Sequence, residues 1–266
     1  MGEKNEMNAL SLFNLSGKVG IVTGSGRGIG RTLALALADA GAAVVVADVL
    51  THQGEEVAQE IRNKGMDSIS IKVDLSQRLE IEKMVSETMR HFGKIDILIN
   101  NAAVNVFSPA EEFLLEDWNK VLSVNLTGVF LCAQAVGKVM IEQRKGKIIN
   151  MASVGGMTGT YRKAVAYDSS KAGVINLTRS LAVEWGKYNI HVNAIAPGMI
   201  ETDLTRKRLE DKEFCEYFVK RVPLGKIGQP EDLVGPVLFL SSEASNWMTG
   251  QTIVLDGGQT LLDLTI

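Results

Sequence analysis

The sequence predicts an α/β fold: one doubly wound, Rossmann-type domain with a seven-stranded parallel sheet and helices on both faces. Three observations predict it. Short apolar runs alternate with segments of helical periodicity along residues 19–255. The runs are continuous and rich in Val and Ile, as in strands buried on both faces. A glycine-rich turn joins the first run to the first helical segment, the place where such folds bind a nucleotide.

In order, Val19–Thr23 is an apolar strand, and the turn Thr23-Gly24-Ser25-Gly26-Arg27-Gly28-Ile29-Gly30 opens a helix marked by Ile29, Leu33, Ala36, Leu37 and Ala40. Gly41 stops that helix, and residues 42–47 form the second strand, closing a β-α-β unit. A helix around Val57 and Ile61, a strand at 69–73, a helix at 79–92 and a strand at 95–99 follow. Runs at 147–151, 190–195 and Thr252–Leu255 complete the strands, with long helices at 118–140 and 166–185 between them. The stretch from Pro197 to about Pro230 reads as irregular, and residues 198–229 as a substrate lid. Residues 1–14 are an N-terminal extension, and 15–266 the single catalytic domain.

Net charge is −3, from 28 basic and 31 acidic residues interspersed with one another. That pattern gives no nucleic-acid or membrane-surface footprint, so a small-molecule substrate is expected. Two cysteines, Cys132 and Cys215, in helical segments suit reduced thiols and a cytoplasmic protein. Glu3, Lys4 and Glu6 do not fit a secretory signal, and Asp39, Gly41 and Asp48 interrupt the apolar stretch 33–50, so no membrane span is expected. His52, His91 and His191 lie scattered without ligand spacing and read as surface residues; no metal is expected.

The glycines follow Gly24-x-x-x-Gly28-x-Gly30, with Ile29 where G-x-G-x-x-G would place its last glycine. Such a turn lets backbone N–H groups and a helix N-terminus approach a pyrophosphate with no Cβ in the way. Asp48, ending the second strand, suits an adenosine ribose and repels a 2′-phosphate, which favours NAD. Arg27 in the turn leaves NADP open, since a guanidinium could meet that phosphate.

Tyr167 and Lys171 stand four apart in a helical segment, so they share a face. A free tyrosine titrates near pH ~10, and each unit by which a nearby cation lowers it corresponds to about 1.4 kcal/mol. Tyr167 could then exchange a proton with a substrate hydroxyl while a nicotinamide exchanges hydride with the carbon. Ser153, just past a strand end, could hydrogen-bond the reacting oxygen.

These residues resemble the short-chain dehydrogenase/reductase family over residues 15–258. Thr23-Gly24-x-x-x-Gly28-x-Gly30 resembles the family's nucleotide turn, Asp74-Leu75 the pair whose Asp contacts adenine, and Asn100-Asn101-Ala102 its structural turn. The resemblance implies a tetrad of Asn125, Ser153, Tyr167 and Lys171, with Asn125 holding a water that links to Lys171 and Lys171 also reaching the nicotinamide ribose. Pro197-Gly198, Ile200 and Thr202 fall in the segment that resembles the closure over the nicotinamide. Two positions depart from the family: Ala103 replaces a glycine and Ala152 a serine. Neither removes a catalytic atom.

The same resemblance implies a homotetramer, with helices 118–140 and 166–185 packing across one two-fold and the last strand and tail 261–266 across another. Val104, Asn105, residues 155–161 and the lid are expected to line the substrate pocket. Arg206, Lys207 and Arg208, followed by Glu210, Asp211 and Glu213, read as a solvated helix face, and Tyr161, Arg162 and Lys163 as a polar surface rim. By general look the chain is similar to gluconate 5-dehydrogenase-like members. The rival is a 3-oxoacyl-[acyl-carrier-protein] reductase; Asp48 counts against it, as does Val183 where those reductases often carry an arginine. Arg144, Lys145 and Lys147 could still form a basic patch for the carrier. From another class, a non-catalytic nicotinamide sensor is opposed by the intact tetrad.

Overall fold

Strand β1 (Val19–Thr23) is buried at all five residues, and β2 (Ala43–Asp48) at five of six. Adjacent residues of a strand face opposite sides of the sheet. Val22, Val44 and Val46 enter one core cluster with Leu33, Leu37, Val57 and Ile61, while Ile21, Val45 and Ala47 enter a second with Met84, Cys132 and Val136. Two apolar layers are why the runs are continuous. The computed structural model describes residues 8–160 and 162–261, the side chain of Lys207 excepted; the expectations for Tyr161, Lys207 and residues 262–266 lie outside the described residues.

The remaining elements are α1 (Gly28–Asp39), α2 (Thr51–Asn63), β3 (Ser68–Lys72), α3 (Arg78–Phe92), β4 (Ile97–Asn100), α4 (Leu115–Leu122), α5 (Val129–Gln143), β5 (Gly146–Met151), α6 (Val165–Trp185), β6 (Ile190–Pro197), α7 (Asp203–Leu209), α8 (Lys212–Val219), α9 (Val234–Ser241) and β7 (Thr252–Leu255). The sheet runs β3-β2-β1-β4-β5-β6-β7 with every pair parallel. Chain direction across the sheet reverses between β1 and β4, which opens a crevice at the carboxyl ends of the strands.

Three expectations are corrected. β4 starts at Ile97 and not Ile95, because the Ile95 N–H donates to Gln143 Oε1 (3.0 Å) and its carbonyl accepts from Gln143 Nε2 (2.7 Å). The helix expected at 118–140 is α4 and α5 joined by a π-helical turn at Ser123–Gly128. This run, Leu115–Gln143, is apolar and long enough to cross a membrane, yet its Val129, Cys132, Val136 and Met140 are buried in the core clusters. The stretch after Pro197 holds α7 and α8; at its base Ile200 bridges Gly228, with Glu201 N–H to Gly228 O at 2.9 Å and Gly228 N–H to Met199 O at 3.0 Å. Thr202 caps α7 and Asp211 caps α8, accepting from Phe214 N–H at 3.1 Å.

Candidate active site

A cavity of about 1140 Å³ opens at the carboxyl ends of the strands. At one end it meets the glycine turn, and here the glycines divide by purpose. A Cβ on Gly24 would lie 2.7 Å from Ala102 Cα, and one on Gly30 2.0 Å from the Gly24 carbonyl oxygen. Both are therefore needed for the turn to pack on residues 101–102. Asn101 Nδ2 secures that contact, donating to the carbonyls of Thr23 (2.9 Å) and Gly24 (3.0 Å), while Thr23 Oγ1 accepts from Asn101 and Ala102 N–H. Gly28, with φ +53°, meets only Thr202 at 3.7 Å. No side chain caps α1 and no acid stands in its first turn, so its N-terminal N–H groups carry no side-chain cap. Cradle and uncapped helix together fit a pyrophosphate.

Gly24, Arg27, Gly28, Ile29 and Gly30 all line the cavity, as do Asp74, Leu75, Asn101, Ala102, Pro197, Gly198, Ile200 and Thr202. Asp48 lines it too; its Oδ2 accepts from Gly26 N–H at 2.8 Å and its Oδ1 from Leu50 N–H at 2.9 Å, leaving lone pairs for a ribose. Ser25 is corrected: its hydroxyl is buried, donating to Val22 O (2.6 Å) and accepting from Ala47 N–H (3.1 Å), and it does not reach the cavity. Arg27 is neither free nor wholly solvated, since Nη1 lies 3.7 Å from Asp203 Oδ2 on α7.

Ser153 follows β5, and the i, i+4 spacing on α6 brings Tyr167 and Lys171 to the same cavity wall. Burial pushes the Tyr167 phenol above its usual range, against the opposing effects of the Arg162 charge and the neighbouring Ser153 hydroxyl. Lys171 Nζ donates to Met151 O at 2.6 Å and lies 5.5 Å from the Tyr167 ring centre, and burial lowers its pKa to about 8.

Asn125 sits behind this wall, fully buried in the π-helical turn. Its Oδ1 accepts from Val104 N–H (2.8 Å), and its Nδ2 donates to Val104 O (2.9 Å) and Ser170 Oγ (3.3 Å). The side chain thus positions the loop after β4 and does not line the cavity.

The substrate end differs from expectation. Val104 and Asn105 line it, but residues 155–160 do not, because Val154–Gly156 turns inward and Gly156 packs on the Lys171 backbone. Arg162, Lys163 and Arg208 all line it, Arg162 and Arg208 half-buried and Lys163 exposed at the rim as expected; Arg206 is solvated, paired with Asp203 at 2.9 Å. Lys120 was not anticipated at all. Leu204 and Arg208, four apart and both on the wall, mark the face of α7 turned to the cavity, so the helix expected here is not solvated on that face. Away from the cavity, Lys147 is buried against Ser245 Oγ (3.1 Å) and Asn246 Oδ1 (3.0 Å) and cannot join a basic patch, which leaves exposed Arg144, stacked on Tyr188 (5.3 Å), and Lys145, paired with Glu243 at 2.9 Å. His191 is half-buried beside the Met248 carbonyl at 3.2 Å and is not a surface residue.

A family model described as enoyl-(acyl carrier protein) reductase matches residues 23–260. A 5-keto-D-gluconate 5-reductase of Escherichia coli K12 is 37% identical over 248 residues, 93% of this chain and 97% of that protein. A 3-oxoacyl-[acyl-carrier-protein] reductase of Aquifex aeolicus is 42% identical over 247 residues, 92% and 98% of the two chains. The crystal structure of a gluconate 5-dehydrogenase from Burkholderia cenocepacia J2315, in complex with NADP and tartrate, superposes with a TM-score of 0.92 at 38% identity, covering 96% of this chain and all of that one.

Proposed function

The chain belongs to the short-chain dehydrogenase/reductase family and is a nicotinamide-dependent oxidoreductase of secondary alcohols and ketones; on that premise we propose that it works on a polyhydroxy acid of the gluconate type. The observation that carries this reading is the grouping of Ser153, Tyr167 and Lys171 on one wall of a cavity that runs unbroken to the glycine turn. In this reading the glycine turn and the N-terminus of α1 hold the pyrophosphate, Asp48 the adenosine ribose and Asp74 the adenine. When bound, the nicotinamide supplies the hydride acceptor for oxidation and the donor for reduction. Tyr167 Oη takes the hydroxyl proton in oxidation and returns it in reduction, Ser153 Oγ holds the reacting oxygen, and Lys171 lends its charge to the phenol. Asn125 acts by fixing Val104 beside them.

NAD is the proposed cofactor on the strength of Asp48, whose carboxylate opposes a 2′-phosphate. The proposal extends to a cytoplasmic homotetramer built from one catalytic domain, residues 15–266, with residues 198–229 as its lid. Exposed Leu115 and Phe130 on the α4–α5 run, Leu114 just before it and Val183 on α6 support such contacts. The carrier-protein reductase reading draws on the Aquifex aeolicus relative but lacks support from the buried Lys147 and from Val183, an apolar residue 85% exposed on α6.

The test follows nicotinamide absorbance with NAD or NADP plus sugar acids and polyols, and with NADH or NADPH plus an acetoacetyl thioester. NAD-linked oxidation of a sugar acid is expected, and thioester reduction alone would overturn the reading. Tyr167→Phe should lower kcat by about 10²–10⁴-fold while cofactor binding, followed by NADH fluorescence, stays within about twofold. Full retention of function by that variant would favour a non-catalytic sensor.

A further inference from the structure

The cavity is divided by charge. Where β2 and β3 end, its lining acids are Asp48 and Asp74. Beside Tyr167 stand Lys171 and Arg162, whose guanidinium lies 6.0 Å from the Tyr167 ring centre, with Arg208 close enough to feel the Arg162 charge; the third lining acid, Asp203, is engaged by Arg27 and Arg206.

Arg162 is held in place: Nη2 donates to Asp168 Oδ1 at 2.8 Å and Nε to Thr160 Oγ1 at 3.3 Å. Arg208 makes no ion pair among the described residues, and its guanidinium lies 4.3 Å over the Phe214 ring of α8. Burial, and then the charge of Arg162, hold Arg208 below the ordinary arginine pKa. Two guanidinium groups that feel one another on a half-dehydrated wall repel, and an anion between them reverses the sign of that interaction. A planar guanidinium also matches a carboxylate with two parallel hydrogen bonds.

A second observation is independent of charge. Asn105, which lines the same cavity, has a buried Oδ1 with no hydrogen-bond partner among the described residues. A buried acceptor left alone is costly, and a substrate hydroxyl would satisfy it. An acyl chain offers neither donor nor anion.

We infer that Arg208, backed by Arg162, binds the carboxylate of the substrate while Asn105 accepts from one of its hydroxyls, so that α7 reads the acid group and sets the choice of acid over neutral polyol. This deepens, and rests on, the reading of the cavity as a polyhydroxy-acid site. The test is calorimetric binding of D-gluconate and its neutral counterpart D-glucitol to the enzyme saturated with reduced nicotinamide, alongside turnover of both. Wild-type protein should prefer gluconate by about 10- to 100-fold. Arg208→Gln should erase that preference by weakening gluconate alone, Arg208→Lys should keep part of it, and Asn105→Ala should weaken both ligands by about 3- to 10-fold. Absence of any preference in wild type, or an equal loss for both ligands in Arg208→Gln, overturns the inference. A gluconate preference in binding without gluconate turnover would leave the carboxylate site standing and remove the proposed reaction instead.

Discussion

Asp48 shows how much one residue settles. Each of its oxygens already accepts one backbone N–H, from Gly26 and Leu50, which orients the carboxylate across the cavity before any ligand arrives. Replacement by serine removes the negative charge and leaves Arg27 as the nearest charge in the turn, so Asp48→Ser should move the NADP-to-NAD ratio of kcat/KM toward NADP by about tenfold or more. An unchanged ratio would remove Asp48 from cofactor choice. Tyr167, Lys171 and Asp48 were legible in the sequence because their evidence is local: a spacing of four on a helix, and a carboxylate at a strand end. Ser25 was not, because its partner Ala47 is 22 residues away and nothing local distinguishes a hydroxyl turned inward from one facing a ligand.

Among the elements, the π-helical turn at Ser123–Gly128 joins fold to chemistry. It presents Asn125 to the backbone of Val104, so that one side chain satisfies both the N–H and the carbonyl of a loop residue beside the reacting wall. Asn125→Ala leaves both groups without those partners and should cost about 1–3 kcal/mol in urea unfolding, with kcat falling more than the affinity for nicotinamide. The turn was invisible beforehand because one extra residue barely disturbs the apolar periodicity of a long helix. The helices after Pro197 were legible only as a solvated helix face around Arg206 and Arg208, because α7 and α8 span seven and eight residues, too short to establish a period. Strand number and approximate position were legible throughout, since burial on two faces imposes the same apolar run each time.

Over the whole molecule, chemistry gathers at the carboxyl edge of the sheet while the opposite edge holds a buried cation of its own. Lys147, near the start of β5, is 7% exposed, bound to neutral oxygens, and lowered by burial from 10.5 to about 8. The unfolded chain keeps that proton up to the ordinary value, so between about pH 8 and 10.5 the unfolded state binds more protons and stability rises with pH. Lys147→Met should therefore gain about 2 kcal/mol at pH 7, lose the advantage by about pH 10, and flatten the rise. Urea melts at both pH values check this; an unaltered slope would contradict it, with Lys171 accounting for the part that remains. The topology could be read from alternation alone, but the division of charge in the cavity could not. Its cationic part draws Arg162 and Lys163, just before α6, together with Arg208 on α7, stretches that the sequence separates and the fold brings together.

Among its described residues α8, in the proposed lid, buries none, yet it carries the ring beneath Arg208. A segment so weakly tied to the core can accept new residues with little penalty to folding. Descendants of this sequence could therefore acquire new substrates by rewriting this segment alone, leaving the reacting wall and the sheet as inherited.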